Sequence, residues 1–177
     1  MIFQEVGLSG AFAIDLERRE DERGFFARTW CAKEFLAKGL DAQLVQCNLS
    51  YTRLRGTIRG MHYQVSPAAE AKLVRCTRGA VYDVIVDLRR ESPTYRRWFA
   101  VVLSSENYKM LYVPKDFAHG FQTLTDDAEV AYQMSEAYAP EYARGFRWND
   151  AAFGIDWPES VRMISDRDRT YDDFVER

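Results

Sequence analysis

Closely spaced cysteines, long apolar runs and a strong net charge are all lacking in this sequence. Its three cysteines, Cys31, Cys47 and Cys76, form no CxxC pair, which favours reduced thiols over a disulfide framework. No apolar stretch approaches the length of a membrane-spanning helix, and the N-terminus lacks the basic region and apolar run of a signal peptide. These absences predict a cytoplasmic protein that makes no membrane contact.

The charged residues are nearly balanced in sign. Lysine and arginine number 24, and aspartate and glutamate 27, for a formal net charge of -3 at pH 7. They are interspersed, so no basic stripe indicates nucleic-acid binding. A chain of 177 residues is large enough to bury a real core or a ligand cavity, and we predict a single domain over residues 1–177.

Short strand-like segments recur along the chain, whereas helical patterns are rare. Residues 32–38, closed by Gly39, are the best helix candidate. Residues 21–24 predict a turn, and the pattern beyond residue 140 is irregular, aromatic and turn-rich. Strands are predicted within residues 1–20 and at 25–30, 45–51, 72–76, 80–89, 97–104, 109–113 and 129–134. Many short strands with few helices indicate an all-β sandwich or barrel.

Both histidines lie in distinctive surroundings. His62 follows Arg59 and a glycine, Lys72 comes shortly after it, and His119 lies within residues 114–121. Histidine suits proton transfer near neutral pH, and a nearby cation stabilises an anion that forms during a reaction. By residue type alone, a structural role for each histidine is as consistent with the sequence as a catalytic role.

Two predicted strands carry polar side chains where apolar ones are expected. Gln46, Asn48 and Ser50 share one face of the strand at 45–51. Asp83 lies on the same strand face as apolar residues two positions to either side, which is costly unless the carboxylate is paired or functional. Such faces indicate either solvent or a polar cavity.

Eight blocks distributed along the chain form a recognisable set. In chain order they are Asp21–Phe26, Gln46–Ser50, Arg59–Gln64, Lys72–Val74, Asp83–Arg89, Pro114–Phe121, Trp148–Asp150 and Ile155–Pro158. Their order and spacing are far more specific than one short motif. Together they resemble, almost end to end, the dTDP-4-dehydrorhamnose 3,5-epimerase family of the cupin superfamily. The resemblance implies an all-β, cupin-type jelly-roll barrel with a few short helices.

The resemblance also implies an activity. Epimerases of this family invert carbons C3, C5 or both, beside the ketone of a nucleotide-linked 4-keto sugar, without a metal or other cofactor. The expected reaction converts dTDP-4-dehydro-6-deoxyglucose to dTDP-4-dehydrorhamnose through an enolate. Because the family is dimeric, we expect a homodimer. The ligand that we expect is the nucleotide-diphospho-sugar substrate.

Site residues are implied position by position. His62 is the base, Asp168 pairs with it, Lys72 stabilises the enolate oxygen, and Tyr132 returns a proton from the opposite face. These residue types match what epimerisation needs, namely a base, an acid and a positive group at the developing charge. The implied substrate-binding residues are Arg23, Gln46, Asn48, Arg59, Asp83, His119 and Tyr138, of which Asp83 and His119 form a polar pair and Tyr138 packs on the base.

Each assigned residue also has an ordinary structural explanation. Lys72 alone is consistent with a strand-edge lysine, and Tyr132 with a core tyrosine whose hydroxyl is satisfied. Asp168 is consistent with a solvated acid, and its neighbour Asp166 is an alternative partner for the base. Asp116 stands where the family often has glycine, and we expect a left-handed backbone there.

Other functions are open as well. A metal-dependent cupin typically supplies a His-x-His pair, whereas Gln64 occupies the second position here. A sugar-nucleotide ketoisomerase resembles a His-Ala-His pattern, which Gln64 also disfavours. A non-catalytic sugar-binding module would not need an acid and a base on opposite faces. An epimerase that acts only at C3 or C5, or on another nucleotide sugar, is a further alternative.

Overall fold

The computed structural model describes residues 1–175, which form fourteen β-strands and two α-helices. The strands are β1 (Ile2–Glu5), β2 (Phe12–Asp15), β3 (Arg19–Asp21), β4 (Gly24–Phe26), β5 (Gln46–Thr52), β6 (Thr57–Gln64), β7 (Lys72–Arg78), β8 (Ala80–Asp87), β9 (Trp98–Ser104), β10 (Met110–Val113), β11 (Phe117–Thr123), β12 (Ala128–Met134), β13 (Ala143–Gly145) and β14 (Met163–Ile164). The helices are α1 (Ala32–Leu36) and α2 (Asp166–Thr170). Neither of them has the length and apolar character that crossing a membrane requires.

Two large sheets make up most of the fold. The first has the strand order β1-β2-β10-β7-β12-β5, and the second has β13-β6-β11-β8-β9 with β14 alongside β6. Strands that pair in each sheet come mainly from distant parts of the chain, as in a jelly roll. A separate two-stranded hairpin consists of β3 and β4. This arrangement confirms the expected all-β fold with few helices.

An apolar core joins the two sheets. Val74, Leu111 and Val130 of the first sheet cluster with Ile85 and Phe121 of the second, and all five are almost fully buried. Burying a side chain of this size stabilises the fold by about 1.5–3 kcal/mol. Elsewhere on the same strands the inward-facing side chains are polar, and they line a cavity between the two sheets.

Two further clusters cover the outer faces of the sheets. Phe35 of α1 packs edge-on against Tyr112 of the first sheet, with ring centroids 5.8 Å apart. Phe146 and Phe153 stack at 4.5 Å and pack against residues of β6 and β8 in the second sheet. The C-terminal segment, irregular as expected, is therefore anchored by aromatic packing, and it carries α2 to the cavity.

The element predictions hold for most strands and for α1, although α1 ends at Leu36 and the short strands β13 and β14 were not predicted. Further differences concern β4, β6, β11 and α2. The strand predicted at 25–30 ends at Phe26. β6 and β11 are not evident in the sequence because both have apolar or glycine residues on both faces, which removes the period-two alternation. α2 is only five residues long, too short for a helical period, and the side chain of Ser165 caps its N-terminus.

The two strands that carry the histidines, β6 and β11, are neighbours in one sheet and approach each other unusually closely. Gly60 of β6 has a φ of +134°, and a Cβ added there would lie 2.5 Å from the Cα of Gly120 in β11. Only glycine fits both the left-handed backbone and this close approach. In the register of this strand pair, His62 and His119 lie opposite each other. The left-handed backbone expected at Asp116 is also confirmed, with a φ of 62°.

Candidate active site

The inner faces of the two sheets enclose a cavity of about 640 Å³. This volume lies within the range of about 300–1,000 Å³ that is usual for small-molecule sites. Strands β5, β7 and β12 supply one wall, β6 and β11 supply the other, and the segment with β14 and α2 lines part of the cavity as well. Eight of the eleven predicted site residues line it: Asn48, Arg59, His62, Lys72, His119, Tyr132, Tyr138 and Asp168.

His62 and Asp168 form a hydrogen-bonded pair although they are 106 residues apart. His62 Nε2 lies 2.7 Å from Asp168 Oδ1. The backbone N–H of Gly60 donates to Asp168 Oδ2 at 3.3 Å, and the backbone N–H of Asp168 donates to Ser165 Oγ at 3.1 Å. The His62 side chain is 42% exposed and that of Asp168 only 6%. The imidazole therefore faces the cavity, and the carboxylate supports it from behind.

The Asp168 carboxyl group stays ionised despite its burial. Burial raises its pKa, but hydrogen bonds from His62, Gly60 and Ser165 and the charge interaction with His62 outweigh that effect, so the pKa lies below its usual value. An ionised carboxylate only accepts hydrogen bonds. His62 Nε2 therefore carries the proton, and Nδ1 is left free to act as a base.

Lys72 is buried in the cavity wall and pairs with a carboxylate that the sequence reasoning missed. Lys72 Nζ lies 2.9 Å from Glu70 Oε1, and the two side chains are only 8% and 4% exposed. Nζ also lies 3.4 Å from the main-chain oxygen of His62. Residues two apart in an extended segment point the same way, and that spacing was the available signal for Glu70.

Tyr132 lies on β12, in the sheet opposite the one that carries His62. Its ring packs edge-on against His119 at 5.9 Å, and His119 Nε2 lies 2.9 and 3.0 Å from the two carboxylate oxygens of Asp83. The part of the ring that stays accessible faces the cavity. Burial raises the pKa of Tyr132 far above its ordinary value, and the charge of Asp83 raises it further. The phenol is therefore protonated at neutral pH and able to donate a proton.

Three arginines at the cavity have neutral hydrogen-bond partners and no carboxylate pair within residues 1–175. Arg59 donates to Thr52 Oγ1 at 3.0 Å and to the main-chain oxygen of Tyr51 at 3.1 Å. Arg144 donates to main-chain oxygens, and Arg167 donates to a tyrosine hydroxyl at 2.8 Å. Guanidinium groups without a counter-ion attract anions, and their planar donors match phosphate oxygens. Sequence reasoning named Arg59 but not the other two; for Arg167, adjacency to Asp168 was the available signal.

Two predicted residues, Gln46 and Asp83, are not among those that line the cavity but contact residues that do. Gln46 donates from Nε2 to Asn48 Oδ1 at 3.1 Å, and its Oε1 accepts from the backbone N–H of Tyr138 at 3.1 Å. Asp83 is fully buried behind His119. Both therefore contact lining residues, and direct substrate contact by either one stays a prediction.

Arg23 lies outside the cavity. It sits between β3 and β4, its side chain is 88% exposed, and its guanidinium contacts the Asp21 carboxylate at 2.5 Å. Arg23 therefore does not line the cavity of its own chain, because the β3–β4 hairpin is a separate sheet. A contact across subunits stays a prediction.

The two histidines are each paired with an aspartate, His62 with Asp168 and His119 with Asp83. Among residues 1–175, no group of three or more histidine, cysteine, aspartate or glutamate side chains is arranged to hold a metal ion. That the reaction needs no metal or other cofactor stays a prediction.

Known proteins resemble the chain along nearly its whole length. The family model described as dTDP-4-dehydrorhamnose 3,5-epimerase matches residues 5–176. A protein of that name from Sinorhizobium fredii is 41% identical over 99% of this chain and 91% of its own. Another from Methanothermobacter thermautotrophicus is 42% identical over 96% of this chain and 92% of its own.

Solved structures share the fold. The dTDP-4-dehydrorhamnose 3,5-epimerase of Elizabethkingia anophelis superposes with a TM-score of 0.94 at 37% identity, covering 98% of this chain and 96% of that one. The Bacillus anthracis enzyme, with TDP and PPi bound, gives a TM-score of 0.93 at 39% identity, covering 98% and 99%. Sequence and fold agree, and the chain belongs to the dTDP-4-dehydrorhamnose 3,5-epimerase family.

Proposed function

We propose that this protein is an isomerase that inverts C3 and C5 of dTDP-4-dehydro-6-deoxyglucose and so forms dTDP-4-dehydrorhamnose. One observation carries the proposal: His62, backed by Asp168, and Tyr132 line opposite walls of one cavity. Inverting a carbon requires a base on one face and an acid on the other. Lys72 lies in the same cavity and supplies positive charge.

The reaction proceeds through an enolate. His62 Nδ1 removes the proton from a carbon next to the C4 ketone, and the electron pair moves onto the ketone oxygen. The Lys72 ammonium donates a hydrogen bond to that oxygen as its charge develops. When the ketone re-forms, the Tyr132 hydroxyl donates its proton to the opposite face of the carbon. Exchange with water then reprotonates Tyr132 and deprotonates His62, so each inverted carbon gains a solvent hydrogen.

The cavity also suits the nucleotide part of the substrate. Arg59, Arg144 and Arg167 offer guanidinium groups to a diphosphate. Tyr138, 53% exposed at the cavity, offers a ring on which a base can stack. Among the solved relatives, the Legionella pneumophila enzyme was determined in complex with dTDP-4-keto-L-rhamnose, which supports a dTDP-sugar here. A cytoplasmic location and the absence of nucleic-acid and membrane partners stay predictions.

Exposed apolar side chains support the expected homodimer. Phe26 of the β3–β4 hairpin is 73% exposed. Leu49 and Tyr51 are exposed along β5, an edge strand of the first sheet, and Val45 is exposed directly before it. Apolar groups along a free strand edge favour pairing with another chain. In such a dimer Arg23, on the same hairpin as Phe26, would contact substrate only in the cavity of the other subunit.

Incubation of the keto sugar with the protein in deuterium oxide tests the proposal. We expect deuterium at both C3 and C5, with the inverted configuration, because each inversion takes its hydrogen from solvent. A relative from Streptomyces niveus is named dTDP-4-dehydrorhamnose 3-epimerase, so exchange at one carbon only would assign this protein to single-carbon epimerases. Absence of exchange at either carbon would rule out the proposed activity.

A further inference from the structure

The ion pair of Glu70 and Lys72 is not accounted for by fold stability. The side chains of both Glu70 and Lys72 are buried. Glu70 Oε1 contacts the ammonium at 2.9 Å, whereas Oε2 is buried without a hydrogen-bond partner among the described residues. Burying two charges costs desolvation free energy that their attraction often fails to recover, and an unsatisfied buried oxygen adds to that cost. The pair therefore invites a functional explanation.

The geometry shows what Glu70 does for Lys72. A lysine ammonium sits on a flexible four-carbon stem and has three donors. One donor meets Glu70, and a second points towards the main-chain oxygen of His62 at 3.4 Å. These two contacts leave the third donor for the cavity that both residues line. Glu70 thus limits the positions that the ammonium can take.

The charges around the cavity lead to the same conclusion. His62 and His119 each have an aspartate partner, and Glu70 is the carboxylate that pairs with Lys72. A buried ammonium without a counter-charge is strongly disfavoured relative to the neutral amine. Without Glu70, the Lys72 ammonium would lose both its counter-charge and the contact that fixes its direction.

We infer that Glu70 is a positioning residue of the proposed epimerase: it holds the Lys72 ammonium directed at the enolate oxygen. The inference rests on the proposed function and adds to it a residue that acts through Lys72. Removal of a single donor to a developing oxyanion typically lowers kcat by about 10²–10³-fold. Loosening such a donor should cause a smaller but clear loss.

Glu70→Gln provides the first test, because it keeps the side-chain volume and an acceptor oxygen but removes the charge. We expect kcat for deuterium exchange to fall at least about 10-fold, while KM for the keto sugar and the affinity for dTDP change less than about 2-fold. Rates are divided by the concentration of dTDP-binding sites, so unfolded protein does not count. Glu141→Gln, at an exposed glutamate, is the matched control and should behave as the unchanged protein.

A double-mutant cycle with Lys72→Met tests whether Glu70 acts through Lys72. In the Lys72→Met background, Glu70→Gln should lower kcat by no more than about 2-fold further, because the group that it positions is gone. Unchanged kcat in Glu70→Gln, or a full additional loss in the double variant, would overturn the inference. Absence of exchange in the unmodified protein would instead reject the proposed function, so the two failures are distinguishable.

Discussion

His62 and Tyr132 line the same cavity, and the different surroundings of the two side chains support the opposite roles proposed for them. The ionised Asp168 holds the proton on His62 Nε2 and leaves Nδ1 as a base. Burial and the charge of Asp83 raise the pKa of Tyr132, so its hydroxyl keeps its proton. Environments that separate the protonation states of two groups in this way are typical of acid–base catalysis.

His62→Ala should abolish most exchange while leaving nucleotide binding intact. A general base typically contributes about 10²–10⁴-fold to the rate, and no nucleotide-binding role is assigned to this imidazole. Deuterium exchange at C3 and C5 should therefore fall by about that factor. Calorimetric titration with dTDP serves as the control and should give an affinity near that of the unmodified protein. Exchange at the original rate would remove His62 from the mechanism.

Tyr132→Phe should separate exchange from inversion. The variant retains the base on one wall but loses the proton donor on the other, so His62 can remove a proton and return a solvent deuteron to the same face. We expect deuterium incorporation to persist while inversion falls about 10²–10⁴-fold. NMR of the product sugar reports both quantities in one sample. Equal loss of exchange and inversion would contradict a role limited to proton donation.

At the scale of elements, the site depends on two local features of the chain. β6 and β11 approach closely at Gly60 and Gly120. In the same place the Gly60 N–H donates to the Asp168 carboxylate. α2 is a single turn capped by Ser165, and it carries both Asp168 and Arg167 to the cavity. Small elements therefore place much of the chemistry.

Gly60→Ala should destabilise the protein more than a matched glycine substitution. The new Cβ would meet the Gly120 Cα at 2.5 Å, in addition to the strain of a φ of +134°. Gly39→Ala is the control, because Gly39 has a φ of +71° but open space around it. We expect a loss of about 1–2 kcal/mol at Gly39 and a larger loss at Gly60, measured by denaturant unfolding. Equal losses of stability would show that β6 and β11 move apart enough to accept the added Cβ at position 60.

Asp168→Asn should destabilise the folded protein near neutral pH, and this loss of stability should disappear in acid. Because folding lowers the pKa of Asp168, the ionised form contributes stability above the unfolded pKa of about 3.9. That contribution disappears as pH falls through the lower pKa of the folded state. Melting temperatures of the native protein and the variant should therefore differ most above about pH 5 and converge as pH falls through the folded-state pKa of Asp168.

Asp166→Asn, an exposed position on the same helix, is the control for that series. It should retain full exchange activity, because Asp166 does not contact His62 in the structure. A loss of activity in Asp166→Asn without one in Asp168→Asn would mean that the wrong aspartate is paired with the base.

At the scale of the whole molecule, the barrel makes one site from two sheets. The proposed base lies on β6 and the proposed acid on β12, so opposite faces of a bound carbon would be reached only because the sheets face each other. The same molecule leaves the hairpin residue Phe26 and the edge strand β5 uncovered. A second copy of the chain would bury these surfaces.

Phe26→Asp should weaken the proposed homodimer. Placing a charge in an apolar interface costs desolvation free energy, so we expect a dimer mass for the unmodified protein and a shift towards monomer in the variant, by light scattering at micromolar concentration. Val175→Asp is the control, because Val175 is also exposed, at 69%, but lies outside the hairpin. A monomer mass for the unmodified protein would contradict the dimer.

Local patterns in the sequence determined the strand-rich fold, α1 and the importance of the segment around His62. Alternation, caps and glycines depend on neighbours a few residues apart, so they are readable in one dimension. The order and spacing of the eight blocks determined the family, and the resemblance to that family implied the four proposed catalytic residues. Their roles nevertheless stayed open to ordinary structural explanations, because residue type alone does not say what a side chain faces.

Only the tertiary structure decided which groups meet. It paired His62 with Asp168 rather than Asp166 across 106 residues, excluded Arg23 from the cavity of its own chain, and revealed Glu70 as the partner of Lys72. Such contacts depend on how distant strands pack and on how far each group is removed from water. Burial and charge pairing set protonation states, and both arise only when the two sheets come together.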